Sequence, residues 1–142
     1  MKKTLIFSLL LISLILTGCM GNLFLKDLTI NDNVLRVKVV KSEKAMIKGL
    51  SGKKLLPEDQ GMLFVYQDYA LRNFHMKDMN FPIDIIWLKD NQIVGIEHEV
   101  PILVGNVVTK IASREEVNMV LEVNSKWTQT HNLKIGDIIS LD

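Results

Sequence analysis

The sequence has little that would cross-link or stiffen the chain. Among its 142 residues Cys19 is the single cysteine, so no disulfide bond can form within the chain. It has only three prolines, no internal repeat and no low-complexity segment. Aromatic residues reach only 6%, whereas hydrophobic residues reach 48%. This composition is typical of one ordinary packed domain.

A strong charge of one sign is also missing. There are 17 basic and 16 acidic residues, and removal of Lys2 and Lys3 with a cleaved leader would leave 15 against 16, a net charge of −1. Without a basic field we expect no nucleic-acid partner. A Walker A loop, a dinucleotide glycine pattern and a Gly-x-Ser-x-Gly elbow are absent from the sequence. We therefore expect no cofactor.

The N-terminus carries the pattern of a lipoprotein leader. Lys2 and Lys3 precede an apolar run from Thr4 to Leu16, which is shorter than the roughly 20 residues that span a bilayer. Leu16-Thr17-Gly18-Cys19 resembles a bacterial lipobox, in which the cysteine is acylated and the leader is removed before it. The alternative is an ordinary secretory leader.

These features predict the domain organisation and the location of the protein. We expect residues 1–18 to be a lipoprotein signal peptide, residues 19–27 to be the lipidated Cys19 and a tether, and residues 28–142 to be one globular domain. A chain of this length can bury roughly two thirds of its unfolded surface. The protein would then be lipid-anchored, on the cell membrane or its periplasmic or other extracytoplasmic face.

The hydrophobic pattern predicts short strands separated by turns. Around Asn31-Asp32-Asn33 we expect a hairpin of Leu28–Ile30 with Val34–Lys41, because Asn and Asp tolerate the left-handed turn conformation. Helices are predicted over residues 43–48, capped by Ser42, and over residues 125–131. The pattern as a whole indicates an α+β, β-rich domain: a small curled sheet or partly closed barrel of about eight short strands with two short helices.

Four motifs, in order and spacing, are similar to those of the domain-of-unknown-function family 192. They are Gly49-Leu50-Ser51-Gly52, Gly61 to Tyr66, Phe74 to Trp87, and Val120 to Asn124 followed by Gly136-Asp137. The resemblance covers most of residues 34–141 and implies a small exported or lipidated protein with a compact β-rich fold. It implies no activity that can be named.

Three positions depart from the family pattern. His75 stands where the family usually has Trp, Asp78 where it has Asn, and Lys126 where a Gly is usual. Residues 101–114 match the pattern poorly. A function that needs an aromatic ring at position 75, or a site in the 101–114 loop, is therefore not expected in this chain.

The stretch FHMKDMNFPIDIIWL, residues 74–88, concentrates the candidate chemistry. Asp84 opens an apolar strand, so its carboxylate should be desolvated and should need a donor, either Lys77 or turn amides. It could bind a polar ligand, or it could simply hold the corner at Phe81-Pro82, where a cis peptide bond is possible. Glu122 lies on a polar strand face that either meets water or completes a small pocket. The candidate ligand-binding residues are Lys77, Asp84, Glu122 and His75.

A metal site is the alternative interpretation of the same stretch. His75, Met76 and Met79 combine imidazole with thioether sulfur, a ligand set that suits monovalent copper outside the cytosol. Strand alternation weakens this hypothesis, because His75 and Met76 would point to opposite faces. We therefore expect no metal, with these three residues as the alternative site.

The functional prediction is a membrane-tethered, cell-envelope lipoprotein with an accessory binding domain. Its partners would be the membrane, through the lipid on Cys19, and an envelope protein or a small polar ligand. The alternatives are an envelope hydrolase or transferase that uses acidic residues, and a copper-binding lipoprotein. No catalytic residue can be named from the sequence, since the serines have no nearby histidine with an orienting acid.

Overall fold

Eleven strands and two helices follow one another along the part of the chain that the structure, a computed structural model, describes. These are residues 25–142; Cys19 and the predicted leader lie outside the described residues. In chain order the elements are β1 (Leu25–Ile30), β2 (Asn33–Val40), α1 (Glu43–Lys48), β3 (Gln60–Ala70), β4 (Asn73–His75), β5 (Ile83–Lys89), β6 (Gln92–Val100), β7 (Leu103–Val104), β8 (Val107–Val108), β9 (Lys110–Ala112), β10 (Val117–Asn124), α2 (Trp127–Thr130) and β11 (Ile139–Leu141).

The predicted first hairpin is formed by β1 and β2. Asn31 in the connecting turn has a φ of 53°, the left-handed conformation that Asn adopts at little cost. β1 begins at Leu25, opposite Lys38 of β2, so pairing starts three residues before the expected strand. Residues 25–27, placed in the tether by the sequence pattern, therefore lie in the sheet.

Seven strands form one curled sheet in the order β11-β1-β2-β3-β10-β5-β6. All neighbours are antiparallel except β2 and β3, which α1 connects in parallel. The segment before β11 returns to the far edge, where the Ile93 N–H donates to the Asp137 carbonyl (2.9 Å) and Gln92 bridges Ile138. The sheet is thereby partly closed, which confirms the β-rich α+β prediction with a curled sheet and two short helices.

The strand count exceeds the expected eight because of the segment after β6. Residues 101–116 hold three short strands: β7 and β8 form a hairpin, and β9 pairs with β4. Both helices lie within the predicted ranges. Within residues 25–142, neither helix is long or apolar enough to cross a bilayer.

Two apolar clusters lie on opposite faces of the sheet. The first draws on all seven strands of the curled sheet and so fills its concave side, with Trp127 of α2 packed among them. The second covers the other face of β3, β10 and β5 with loop residues such as Leu50 and Met79. Because both faces are covered, a polar residue on either face of a central strand is buried unless it reaches a pocket.

Gly61 on β3 shows how tightly the sheet is packed at its centre. A Cβ atom there would lie 2.9 Å from a methyl group of Leu35 and 3.0 Å from the Glu122 carbonyl. Real Cβ atoms do not come so close, so only glycine fits without movement of its neighbours. A larger residue at position 61 would therefore press on Leu35 of β2 and on the backbone of β10 at Glu122.

Candidate functional site

Asp84 is a fully buried carboxylate whose donors all come from the protein backbone and one hydroxyl. Its Oδ1 accepts from the Glu99 N–H (2.8 Å) and the Lys126 N–H (3.1 Å). Its Oδ2 accepts from the N–H (3.0 Å) and the hydroxyl (2.5 Å) of Thr128. Glu99 and Lys126 both have positive φ, so this carboxylate holds two turns in an uncommon backbone conformation. Of the two donors predicted from the sequence, the turn amides are the ones that it meets.

A histidine extends this network to the surface. Since the Thr128 hydroxyl donates to Asp84, the His98 Nδ1 must donate to the Thr128 oxygen, at 2.8 Å. His98 is itself exposed. All four hydrogen bonds to Asp84 therefore come from groups of the domain, and they hold this corner together.

Glu122 is the contrasting case. It lies in the middle of β10, paired with Met62 of β3 and Ile85 of β5, and only 6% of its surface is exposed. Its Oε2 atom is buried and has no hydrogen-bond partner within residues 25–142. Burial without a compensating donor raises the pKa of Glu122 to about 8, because desolvation disfavours the charged form.

Glu122 lines a pocket of about 240 Å³ on the outer face of the sheet. The loop after α1 forms one wall, where Gly49 turns with a φ of 47°, and β3 and β4 form the others. Phe74 of β4 packs edge-to-face on Phe64 of β3, with 5.1 Å between ring centroids. We call this cavity the Glu122 pocket; it is lined by Met46, Ile47, Lys48, Gly49, Leu50, Ser51, Phe64, Tyr66, Asn73, Phe74, His75, Met79 and Glu122.

Of the four predicted ligand-binding residues, two reach this pocket. Glu122 and His75 both line it, with His75 exposed at its rim. Asp84 is committed to the turn network instead. The Lys77 side chain is exposed and is not among the lining groups, although its carbonyl accepts a hydrogen bond from the Ser51 hydroxyl (3.0 Å). Lys77, one of the two donors considered for Asp84, therefore does not pair with it.

The alternative metal set is also divided. Met79 and His75 line the Glu122 pocket, but Met76 is buried in the second apolar cluster and does not line it. Within residues 25–142 no three His, Cys, Asp or Glu side chains are grouped closely enough to hold a metal ion. None of the described peptide bonds is cis, so the Phe81–Pro82 bond is trans.

Tyr66 is a pocket residue that sequence reasoning missed. It lies on β3, with the Arg72 guanidinium 3.8 Å from its ring centroid. Burial raises the pKa of the Tyr66 hydroxyl; the charge of Arg72 opposes the rise, and the charges of Glu122 and Asp68 add to it. The Gly61-to-Tyr66 family motif contained both Tyr66 and Phe64, but strand alternation alone could not show which face the loops cover.

A larger and more open groove, of about 680 Å³, lies beside α2. Several of its polar side chains already have partners. The Asn124 amide donates to the carbonyls of Leu56 (2.9 Å) and Pro57 (3.0 Å), and Asp59 pairs with Arg36. We regard the Glu122 pocket as the candidate site because it alone among these two cavities holds a buried polar atom without a partner.

Fold and pocket together define a class of protein: a small, partly closed β-sheet domain with a solvent-accessible cavity beside a buried carboxyl group. Residues 26–141 match the model of the family DUF192, described as "Uncharacterized ACR, COG1430". This match spans nearly all of the described residues, and the chain belongs to that family. The family resemblance read from the sequence motifs is therefore confirmed.

Two solved structures resemble the fold. A protein from Sinorhizobium meliloti 1021, described as a candidate transcription regulator, has a TM-score of 0.76 and 22% identity, covering 82% of this chain and 93% of that one. A protein of unknown function from Novosphingobium aromaticivorans has a TM-score of 0.74 and 22% identity, covering 82% and 84%. At such identity these likenesses establish the fold alone. No curated protein matches the sequence.

Proposed function

We propose that the protein is a lipid-anchored binding protein of the cell envelope that takes a small polar ligand in the Glu122 pocket. The observation that carries the proposal is that Glu122 lines an open cavity while its buried Oε2 has no hydrogen-bond partner among the described residues. A buried polar group without a partner lowers the stability of the folded protein. Its presence beside a cavity therefore favours a role in binding a ligand that supplies the missing partner.

The anchoring half of the proposal rests on the leader pattern. The apolar run is followed by Leu16-Thr17-Gly18-Cys19, and only five residues separate Cys19 from the start of β1 at Leu25. The six steps from Cys19 to Leu25 can span at most about 20 Å. A lipid on Cys19 would therefore hold the folded domain close to the membrane surface, where it could meet small molecules or other envelope proteins.

Fatty-acid labelling in a bacterial host tests the anchor. We expect the wild-type chain to incorporate an alkyne-tagged palmitate analogue and to sediment with membranes. Replacement Cys19→Ser should abolish both, because serine offers no thiol for acylation. A wild-type chain that remains unlabelled would refute the lipid anchor while leaving the pocket untouched.

A ligand screen tests the pocket. Small polar molecules would be screened by ligand-observed NMR against the full chain in a non-ionic detergent. We expect binders that are lost on Glu122→Leu, which keeps the side-chain volume but removes the carboxyl. They should be retained on Lys77→Ala, because that side chain is exposed and lies outside the lining. Binders that are equally retained by Glu122→Leu would exclude this site.

Acid catalysis at the same pocket is the second candidate. A carboxyl group with a pKa of about 8 is largely protonated at neutral pH and can donate a proton, as a general acid of a hydrolase or transferase must. Following the NMR spectra of the screened binders over hours distinguishes the two functions. A binding protein leaves each ligand unchanged, whereas an enzyme converts one of them in wild type and not in Glu122→Gln.

A further inference from the structure

We infer that the Glu122 pocket recognises a small organic cation: a primary or secondary ammonium group on a short apolar body. The inference rests on the proposed function and specifies the ligand class of that site. It is drawn from three features of the described residues: what the Glu122 carboxyl lacks, what lines the pocket, and where the neighbouring positive charges are held.

The domain contains two buried acidic side chains with opposite surroundings. Asp84 accepts four hydrogen bonds from backbone and hydroxyl donors. Glu122 leaves its buried Oε2 without any. Once ionised, the Glu122 carboxylate offers only acceptor sites, so a group that complements this form must supply N–H or O–H donors. An ammonium group supplies up to three such donors together with the opposite charge.

The pocket walls favour a cation with an apolar body. Phe64, Tyr66 and Phe74 present aromatic rings, and Met46 and Met79 add thioether surface. Aromatic rings attract cations through their quadrupole, and they also pack against hydrocarbon groups. The volume of about 240 Å³ lies below the range of drug-sized pockets, which limits the ligand to a small molecule.

The positive side chains nearby are held by other partners or by water. Arg72 lies over Tyr66 and donates to Asp68 (2.8 Å) and to the Val117 carbonyl (3.3 Å). Lys48 at the end of α1 and His75 on β4 are exposed at the rim. The titratable groups that face the pocket with Glu122 are therefore Tyr66 from β3, His75 from β4 and Lys48 from α1. None of the three has a hydrogen bond to Glu122 in the described residues.

Binding of an ammonium ion should release a proton. The pKa of Glu122 is raised to about 8 by burial, so at pH 7 the free pocket holds mostly the neutral carboxyl. The ammonium ion pairs with the carboxylate, and the carboxyl proton passes to solvent. Affinity should then rise by about tenfold from pH 6 to pH 7, continue to rise towards pH 8 and level off above it. A neutral ligand that accepts a hydrogen bond from the protonated carboxyl would show the opposite trend.

Benzylamine and benzyl alcohol are suitable probes because they share a shape and differ in the cationic group. Each would be titrated calorimetrically into the full chain in non-ionic detergent at pH 6, 7 and 8, in two buffers of different ionisation enthalpy. We expect benzylamine to bind at least tenfold more tightly than benzyl alcohol at pH 8. At pH 6 its binding should release close to one proton.

The variants assign the effect to one carboxyl group. Glu122→Gln should weaken benzylamine binding and remove its pH dependence, whereas Glu116→Gln, which removes an exposed carboxyl just before β10, should change neither. If Glu122→Gln does not fold, the comparison of the two probes and the pH trend in wild type still decide the matter.

Each outcome separates this inference from the proposed function. Three results would refute the proposal that the ligand is a cation. They are equal binding of the two probes, an affinity for benzylamine that falls as pH rises, and no binding of either probe. In those cases a binder from the NMR screen that depends on Glu122 would preserve the pocket proposal. If that screen also yields none, both proposals fail.

Discussion

The buried Glu122 should make the domain less stable as the pH rises, and replacement by leucine should remove this effect. The folded-state pKa is about 8, above the model value of 4.5 for an unfolded chain. Between these values the unfolded state releases the proton while the folded state keeps it. The free energy of unfolding therefore falls by up to about 1.4 kcal/mol for each pH unit between these two pKa values. At pH values well below 4.5, Glu122 does not change it.

The size of the effect follows from that difference. At pH 7 the raised pKa of Glu122 should lower the free energy of unfolding by about 3 kcal/mol relative to a pH well below 4.5, where the group is protonated in both states. At pH 5 the loss should be less than about 1 kcal/mol. Leucine at position 122 does not ionise and would pack among the second apolar cluster. The stability advantage of Glu122→Leu over wild type should consequently grow by about 2 to 3 kcal/mol between pH 5 and pH 7.

Urea denaturation of residues 20–142 from pH 4 to pH 9 measures this difference directly. Other titrating groups act on both proteins and cancel when the two curves are subtracted. Glu116→Gln, which removes a carboxyl that stays in water, is the control for loss of a negative charge. A difference between wild type and Glu122→Leu that stays constant from pH 5 to pH 8 would refute the argument, because Glu122 would then titrate alike in both states.

Three further predictions concern the rest of the domain. Asp84→Asn should lower the free energy of unfolding by about 2 to 4 kcal/mol in urea denaturation, since an amide cannot accept all four hydrogen bonds; an unchanged value would contradict the structural role of this corner. Gly61→Ala should lower the free energy of unfolding by about 1 to 3 kcal/mol in the same assay, because the added methyl group would collide with Leu35. An unchanged value would mean that the neighbouring strands move apart easily. Lys77→Ala should stay within about 0.5 kcal/mol of wild type in thermal melts, and a larger loss would show that Lys77 has a partner after all.

Turns could be predicted from the sequence because their chemistry is local. Asn31 and Asp90 both adopt positive φ between paired strands, at the places where Asn and Asp clusters interrupt apolar runs. The need of Asp84 for donors was equally clear from its position at the start of an apolar strand. The side chain that supplies a donor could not be predicted, because Thr128 is 44 residues away and reaches Asp84 only when α2 folds back on the sheet.

The burial of Glu122 could not be predicted from strand alternation. Alternation places Asn118, Glu122 and Asn124 on one face of β10, and three polar residues suggest a face exposed to water. The two asparagines lie near the strand ends, where they bond to Asp90 and to the carbonyls of the loop before β3. Glu122 lies between them and is covered by two segments, the loop after α1 and strand β4. The sequence of β10 alone does not indicate that these segments cover it.

The pairing of β1 with β11 has a consequence for when the domain can fold. The first and last strands of the described chain are neighbours, and the Asp142 N–H donates to the Asp27 carbonyl at 3.0 Å. One edge of β1 thus has no partner until β11 has been synthesised. A nascent chain in which β11 is still inside the exit tunnel would expose that edge and part of the concave cluster. The partly closed sheet can therefore form only after β11 has emerged, and until then the exposed strand edge can pair with other chains or be bound by chaperones.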